Sequence, residues 1–409
     1  MARRKPSLII PPTMKTYNFD QEIDRRGSGC TKFEELDALF GRRDLLPLWI
    51  ADMDFPVCPE ITRALQKRFE HPIYGYSIPP ESYWDSITSW LRRRHGFEVG
   101  RGELTYVPGV VKGIAFAINF FSRPGDRIVI QPPVYHPFKM VIEGNGRIVA
   151  PNPLRRTPEG GYEMDLEGLR RVVETERPTM MILCNPHNPI GLQWSRETLA
   201  EVGRICRAAG VTVVSDEIHG DLMLHGKPHI PFAMAGEDAE AVAVTFGAPS
   251  KTFNIPGLVS SWCVVKNEEL RRPFFNWLAA NEFDAPTFTA TIGTEAAYTY
   301  GEPWLAEALA YIEENIRFTR SFLAERVPSV RMVEPEASFL IWMDFSALEL
   351  SHEELVDLVV NRAGLALNDG EMFGPEGHGF MRVNIATPRC CLRSALERLE
   401  TVVAELVTR

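Results

Sequence analysis

The sequence has few cysteines, and their spacing offers no framework for pairing them. Only seven of the 409 residues are cysteine, and apart from the neighbours Cys390 and Cys391 they lie far from one another. An odd, dispersed set without a C-x-x-C pair argues against disulfide bonds and against a cysteine zinc site. We therefore expect no metal cofactor and a reducing, cytoplasmic location.

Positive charge and long apolar runs are also scarce. Lysine and arginine total 44 against 54 aspartate and glutamate residues, which gives a net charge of −10. Because no long basic stretch is present, nucleic acid is a poor candidate for a partner. No apolar run approaches the roughly 18 residues of a membrane span, and residues 8–11 are too short for the apolar part of a signal peptide. We expect a protein that is neither exported nor embedded in a membrane.

The composition that is present is that of an ordinary globular chain. Hydrophobic residues make up 45% and charged residues 24% of the sequence, which allows a large core to be buried. At roughly 150 residues per domain, the length predicts two or three domains, or one large body with a smaller lobe.

Short apolar segments alternate with amphipathic stretches through the middle of the chain. This alternation predicts an α/β body with a mostly parallel, buried sheet. From about residue 291 onward, longer helical patterns surround a strand-like segment at 338–345, which predicts a second, α+β lobe. The predicted strands of the body are 104–107, 127–131, 180–184, 211–214, 241–246 and 261–265, and the predicted helices include 114–121, 195–209, 291–299, 303–324, 352–363 and 389–406.

Polar side chains follow three of these predicted strands closely. Asp216 follows one strand, Asn188 follows another, and Lys251 follows a third. Because the carboxyl ends of parallel strands meet at one edge of a sheet, an acid, an amide and an amine would converge on one crevice. Each residue alone is equally typical of a helix cap, a turn or a solvated surface. The three together indicate a functional site.

A lysine in such a crevice favours a Schiff base with a carbonyl cofactor, and pyridoxal phosphate is the leading candidate. Its ring nitrogen needs an ionised carboxylate, for which Asp216 is the candidate. Its phenolic oxygen needs hydrogen-bond donors, which Asn188 and His219 could supply. Its phosphate needs backbone N–H groups at a helix N-terminus, a geometry that residues 108–113 offer.

Several motifs are specific enough to indicate a family. They resemble the signatures of fold-type I, class I/II pyridoxal-phosphate enzymes, the aminotransferase superfamily. Within it the chain is similar to the MalY/PatB-type C–S lyases, or cystathionine β-lyases, from about residue 20 to about residue 399. The superfamily motifs are Asn185-Pro186-His187-Asn188-Pro189-Ile190-Gly191, Ser215-Asp216-Glu217-Ile218-His219 and Ser250-Lys251-Thr252-Phe253-Asn254, and the features typical of the branch are 46–55, 74–77, 132–135, 216–219 and 379–384.

This resemblance implies a fold and its division into domains. The expected fold is that of an α/β, fold-type I transferase, with a mostly parallel seven-stranded sheet in a large domain and a smaller α+β domain. The implied limits are 1–50 for an N-terminal segment that joins the small domain, 51–290 for the large cofactor-binding domain and 291–409 for the small C-terminal domain.

The resemblance also implies the residues of the site. Lys251 would carry the cofactor and act as the base at the substrate Cα, and Arg382 would hold the substrate carboxylate. Tyr76 would reach the phosphate of the other subunit, which implies a homodimer with shared active sites. The implied catalytic residues are Lys251, Tyr76 and Arg382; the implied cofactor-binding residues are Val110, Val111, Tyr135, Asn188, Asp216, His219, Ser250, Lys251 and Tyr76; and the implied substrate-binding residues are Arg382, Asp52 and Asn188.

Three positions depart from the general aminotransferase pattern. The arginine expected eight residues after the lysine is Val259, the serine or threonine expected three residues before it is Ala248, and the tyrosine expected three residues after the aspartate is His219. The last change is also typical of the C–S lyase branch. All three weaken the case for an ordinary transaminase.

The expected reaction is therefore cleavage of the Cβ–S bond of an L-cysteine thioether, an amino-acid substrate, to a thiol, pyruvate and ammonia. Transamination and a decarboxylating variant remain alternatives, because the bond that breaks depends on which one lies perpendicular to the cofactor ring. An alternative of another class is a protein that binds pyridoxal phosphate and acts as a regulatory interaction partner.

Overall fold

The computed structural model describes residues 17–407. The first 16 residues of the predicted N-terminal segment 1–50, and residues 408–409 of the predicted small domain, lie outside the described residues. The strands in chain order are β1 Leu46–Pro47, β2 Leu104–Val107, β3 Arg127–Ile130, β4 Ile148–Pro151, β5 Arg155–Arg156, β6 Tyr162–Glu163, β7 Met180–Cys184, β8 Thr212–Asp216, β9 Ala243–Gly247, β10 Ser261–Val264, β11 Arg331–Met332, β12 Leu340–Asp344, β13 Leu365–Ala366, β14 Asn368–Asp369 and β15 Phe380–Asn384.

Most of these strands form two sheets, and β1-β13 and β5-β6 form two further two-stranded pairs. The large sheet has seven strands in the order β2-β10-β9-β8-β7-β3-β4, and only β10 pairs antiparallel with its neighbours. The small sheet has four antiparallel strands in the order β11-β12-β15-β14. The prediction of an α/β fold with a mostly parallel seven-stranded sheet is confirmed. The domain limits at 50/51 and 290/291 remain predictions.

The central strands of the large sheet are continuous apolar runs because both faces of the sheet are covered. In β7, Met181 and Leu183 pack into the core cluster on one face, and Met180 and Ile182 pack into the cluster on the other. All five residues of β7 are buried. The sheet is therefore a rigid platform whose strand ends hold fixed positions.

Helices cover the large sheet and fill the second lobe. Helix α8 is delimited as its sequence predicts: the Ser195 side chain accepts a hydrogen bond from Thr198 N, and Gly210 ends the helix with φ of +68°. Among residues 17–407, no helix combines the length and the apolar composition that crossing a membrane requires. The helices are α1 Thr31–Glu34, α2 Leu36–Phe40, α3 Pro59–Phe69, α4 Glu81–His95, α5 Val110–Phe121, α6 Pro137–Gly144, α7 Leu166–Glu176, α8 Arg196–Ala209, α9 Glu237–Val242, α10 Pro249–Thr252, α11 Glu268–Ala280, α12 Phe288–Tyr300, α13 Glu302–Arg326, α14 His352–Val356 and α15 Arg389–Val407.

The stretch from β1 to residue 55 ties the two sheets together. Strand β1 pairs in parallel with β13. Beyond it, the Asn384 amide, on the small sheet, donates to the carbonyls of Ile50 and Asp52. The Asn254 amide, which follows the large sheet, donates to the carbonyls of Met53 and Phe55. We call residues 50–55 the bridging segment.

Candidate active site

A cavity of about 260 Å³ lies at the carboxyl ends of the central strands. Register brings these ends together, since Asp216 on β8 lies opposite Cys184 on β7 and Phe246 on β9. Of the residues that the sequence predicts, the cavity wall includes Val110, Val111, Tyr135, Asn188, Asp216, His219, Ser250 and Lys251.

Lys251 reaches the cavity because β9 runs directly into the short helix α10. Its side-chain nitrogen donates to the carbonyl of Ala51 in the bridging segment, at 2.6 Å. Burial, with the nearby charge of Arg382, lowers the pKa of the Lys251 amine to about 8, against the opposing charges of Asp52 and Asp216. The amine therefore gives up its proton far more easily than a surface lysine does.

Asp216 ends β8, and its carboxyl is buried. One carboxyl oxygen accepts a hydrogen bond from Ile218 N at 3.1 Å. Burial raises the pKa of Asp216 to about 7, although the charge of Lys251 and the Ile218 hydrogen bond act in the other direction. A carboxyl in this position is stabilised as an anion when a cation comes next to it.

Arg382 lies on β15 and is 3% exposed. Its guanidinium donates to Asn188 Oδ1 at 3.1 Å, to Asn368 Oδ1 at 2.6 Å and to the carbonyl of Trp49 at 3.2 Å. Its face lies 4.9 Å from the ring centre of Phe373. Burial lowers the pKa of Arg382 to about 10, which still leaves it charged near neutral pH.

Two aromatic groups complete the buried end of the cavity. Burial raises the pKa of Tyr135 above its usual value, so its hydroxyl stays protonated. Burial, followed by the charges of Lys251 and Arg382, lowers the pKa of His219 to about 3, so its ring is neutral. Neither ring therefore adds a charge to a site that already holds Asp216.

Another part of the cavity wall is built from the first turn of α5. Gly109 precedes the helix with φ of +112°, a conformation that disfavours any side chain. The free N–H groups of the first turn follow it at Val110 and Val111. Val259, where an arginine is expected, also lies on the wall with φ of +53°.

Sequence reasoning missed several residues of this cavity. Ser260 and Ser261 follow Val259, a position that the sequence already singled out, so their proximity to it was an available signal. Cys184 could have been found as the last residue of β7. The predicted phosphate-binding turn 108–113 contributes Pro108, Gly109 and Lys112 to the wall, and the wall residues that were not predicted as site residues are Ala51, Cys184, Ile218, Pro256, Val259, Ser260 and Ser261.

Asp52 belongs to a neighbouring cavity of about 680 Å³, which shares Ala51, Lys251 and Pro256 with the first. The Asp52 carboxylate forms an ion pair with the Arg25 guanidinium, with 2.5 Å between Oδ2 and Nη2. Burial would raise the pKa of Asp52, but the Arg25 hydrogen bond and the charges of Lys32, Arg25 and Lys251 together hold it below the usual value. Asp52 is thus a fixed negative charge behind the lysine.

Tyr76 does not reach the cavity of its own chain. It lies in an irregular segment between α3 and α4 and is fully exposed. Tyr74, two residues earlier, is held by its own chain, since its ring stacks on Phe288 at 5.9 Å. The structure therefore brings together the other predicted site residues and leaves Tyr76 on the surface.

The large sheet, the lysine after β9 and the antiparallel second sheet are the architecture of fold-type I enzymes. The model of the family "Aminotransferase class I and II" matches residues 43–399, and the chain belongs to this family and to its group of PatB- and MalY-like proteins. It is 42% identical to "Cystathionine beta-lyase PatB" of Bacillus subtilis, over 95% of this chain and 100% of that protein. It is 31% identical to "Protein MalY" of Escherichia coli, over 94% of this chain and 98% of that protein.

A solved structure is similar over the same length. Cystalysin from Treponema denticola, which contains a pyridoxal 5'-phosphate cofactor, matches with a TM-score of 0.91 at 30% identity, covering 95% of this chain and 99% of that one. The family resemblance and the fold predicted from the sequence are therefore confirmed. The roles of the individual site residues remain predictions.

Proposed function

We propose that the chain is a pyridoxal-phosphate-dependent C–S β-lyase. Its reaction converts the thioether of an L-cysteine derivative and one water molecule into a free thiol, pyruvate and ammonia. The observation that carries this proposal is the cavity whose wall includes Lys251, Asp216 and Asn188, with the Arg382 guanidinium hydrogen-bonded to the Asn188 side chain.

Buried polar groups in and beside this cavity fit the cofactor. His219 Nδ1 and Arg382 Nε are buried, and within residues 17–407 neither has a hydrogen-bond partner, so each can serve a bound molecule. The Asp216 carboxyl, whose pKa burial raises to about 7, suits a protonated ring nitrogen as its cation. The residues that would hold the group are Asp216 at the ring nitrogen, Asn188 and His219 near the phenolic oxygen, Tyr135 against the ring, and Val110, Val111 and Ser250 at the phosphate.

The chemistry of the site follows from its own side chains. When bound, pyridoxal phosphate supplies an aldehyde that exchanges amines and a ring that withdraws electrons from the Cα of an amino acid. Lys251 removes the Cα proton, because a pKa of about 8 makes its neutral amine accessible near neutral pH. Arg382 binds the substrate carboxylate with the planar, charged donors that suit it.

Two observations favour elimination over transamination: three residues depart from the general transaminase pattern, and several similar proteins are named as C–S lyases. Val259, Ala248 and His219 replace residues of the general transaminase pattern, and His219 faces the cavity. The similarity to proteins named as C–S lyases extends over nearly the whole chain. One of them is the enzyme of Staphylococcus hominis, at 32% identity.

The proposal includes a homodimer in which each active site uses two chains. The segment 73–78 exposes several large apolar side chains, with Tyr76 fully exposed and Ile78 90% exposed. Contiguous exposed apolar groups of this kind are typical of protein interfaces. A second copy of the chain would cover them and bring Tyr76 to the phosphate end of its partner's cavity.

The test of the reaction supplies L-cystathionine or a simple S-alkylcysteine without any keto acid. A lyase produces pyruvate, ammonia and free thiol in equal amounts over many turnovers. A transaminase stops after one equivalent and resumes only when a keto acid is added, which would contradict the proposal. Lys251→Ala serves as the inactive control.

A further inference from the structure

A cluster of imidazole and carboxylate groups lies in the second lobe, apart from the cavity. It joins the first residue of α14, His352, to the loop between β14 and β15, which carries Glu371 and His378. One ligand atom from each of these three side chains lies within 4.8 Å of the other two. All three side chains are accessible to solvent, the least exposed being His352 at 34%.

The nitrogens of the two imidazoles converge on a single oxygen. His378 Nδ1 lies 2.8 Å and His352 Nδ1 lies 3.3 Å from the same Oε1 of Glu371. In a tetrahedral zinc site with bonds of about 2.0–2.1 Å, neighbouring ligand atoms are about 3.3 Å apart. The two separations from the Glu371 oxygen are close to this value, and the two imidazoles lie within 4.8 Å of each other through one ligand atom each, so small side-chain rotations would let one cation bind all three groups.

A further carboxylate holds one imidazole in the orientation that a metal requires. Asp369 Oδ2 lies 3.2 Å from His352 Nε2, so it can accept a hydrogen bond from a proton on that nitrogen and leave the lone pair of Nδ1 free for a metal. A carboxylate behind a metal-binding histidine is the usual arrangement in zinc proteins, where it fixes the tautomer and strengthens the ligand.

We propose that His352, Glu371 and His378 bind one divalent transition-metal cation of the zinc type, with Asp369 as the positioning residue behind His352. Two imidazoles and a carboxylate are a donor set that suits zinc and leaves a coordination position for water. The scarcity of cysteine excludes only cysteine zinc sites, and the three ligands are too far apart in the chain for their spacing to reveal them.

The cation would also stiffen the loop that supports Arg382. Phe373 lies in this loop, with its ring 4.9 Å from the Arg382 guanidinium and its carbonyl accepting a hydrogen bond from Val134 N at 2.8 Å. Binding to both α14 and the loop fixes the loop at a second point. Its backbone amides, at 370–379, should therefore exchange with solvent more slowly.

The test titrates Zn²⁺ into untagged, metal-stripped holoprotein in competition with a chromophoric chelator. The protein carries Cys390→Ser and Cys391→Ser, because Glu22 with these cysteines is the other group in the described part of the chain that could hold a metal. We expect one equivalent to bind, at least tenfold more weakly in His352→Ala, His378→Ala and Glu371→Gln. Asp369→Asn should weaken binding about tenfold.

The matched control is His225→Ala, which removes an exposed imidazole that faces only one carboxylate, Glu313 at 4.0 Å. It should bind zinc as the parent does. Undiminished binding in the His352 and His378 variants, or no binding by the parent, would overturn the site. Thermal melts show that the variants fold, and His378→Asn replaces His378→Ala if that variant does not.

Hydrogen exchange of residues 370–379 then tests the coupling to the loop. Zinc should slow exchange in the parent and leave it unchanged in the His378 variant. Equal exchange rates with and without zinc in the parent would show that the cation does not stiffen the loop, and would contradict that part of the proposal.

Discussion

The Arg382 guanidinium donates to the side-chain oxygen of Asn188, with 3.1 Å between Nη1 and Oδ1. This hydrogen bond fixes which way the amide faces, because the oxygen is committed to a cation and the amino group is left to donate. A donor is what the phenolic oxygen of the proposed cofactor needs. The residue proposed for the substrate carboxylate therefore also orients the residue proposed for the cofactor.

Asn188→Asp should raise the KM of the substrate at least tenfold. The change keeps the shape of the side chain but puts a negative charge against Arg382, which then competes with the substrate carboxylate for the same donors. Steady-state kinetics measure the effect, and Arg382→Lys is the companion variant, since it keeps the charge and loses the planar fork. An unchanged KM in Asn188→Asp would contradict the assignment of Arg382 to the carboxylate.

Lys251 should be the lysine that carries the cofactor. Purified protein should be yellow, and borohydride should abolish the visible absorbance and leave a reduced label on a peptide that contains Lys251. Lys112, the other lysine on the cavity wall, gives the control: Lys112→Ala should still be labelled at Lys251. A label on any other lysine would refute the assignment.

Shared active sites should be visible as complementation between inactive chains. A hybrid of Lys251→Ala and Tyr76→Ala chains has one site with both residues intact, so random mixing should restore about a quarter of the parental activity. Mixing Lys251→Ala with Asp216→Ala is the control, because these residues line the same cavity in one chain and no hybrid site is complete. Equal recovery in both mixtures, or none in the first, would argue against the contribution of Tyr76.

Buried histidines should make the fold sensitive to mild acid. Burial lowers the pKa of His187 from 6.5 to about 4, so between these values the unfolded chain binds a proton that the folded chain does not. Stability therefore falls as the pH falls from about 6.5 to about 4, by up to about 1.4 kcal/mol per pH unit for this group.

His187→Gln tests this dependence. The His187 ring lies 2.9 Å from the carbonyl of Pro133 through Nε2, and glutamine offers a comparable donor without titrating. Melting temperature measured across this pH range should fall less steeply in His187→Gln than in the parent. An identical slope in His187→Gln and in the parent would contradict the prediction.

The body of the fold could be predicted because its strands carry their signal locally. Continuous apolar runs located β2, β3, β7, β8, β9 and β10 to within two residues. The edge strand β4 was missed because its apolar run, residues 148–150, is short and is followed at once by Pro151, which is typical of a turn as much as of a strand. The predicted helix 352–363 is instead α14 followed by a π-helical turn at Asp357–Arg362, a change of winding that has no sequence signature.

The difference between features with a local sequence signal and features without one also explains which parts of the site could be predicted. Asp216, Asn188 and Lys251 could be placed together because the order of strands dictates where strand ends meet. The contact of Lys251 with the Ala51 carbonyl joins residues 200 positions apart, and it depends on a main-chain atom that any residue at position 51 would supply. No pattern in the sequence predicts such a contact.

The bridging segment couples the two ends of the substrate site mechanically. Asn384, which holds this segment, lies two residues beyond Arg382 on the same strand, and Asn254 holds the segment from the other side. A displacement of β15 on binding a carboxylate would therefore pull on the Ala51 carbonyl, to which the Lys251 amine is bonded. If Arg382 binds the substrate carboxylate as proposed, this segment would link that event to the position of the Lys251 amine.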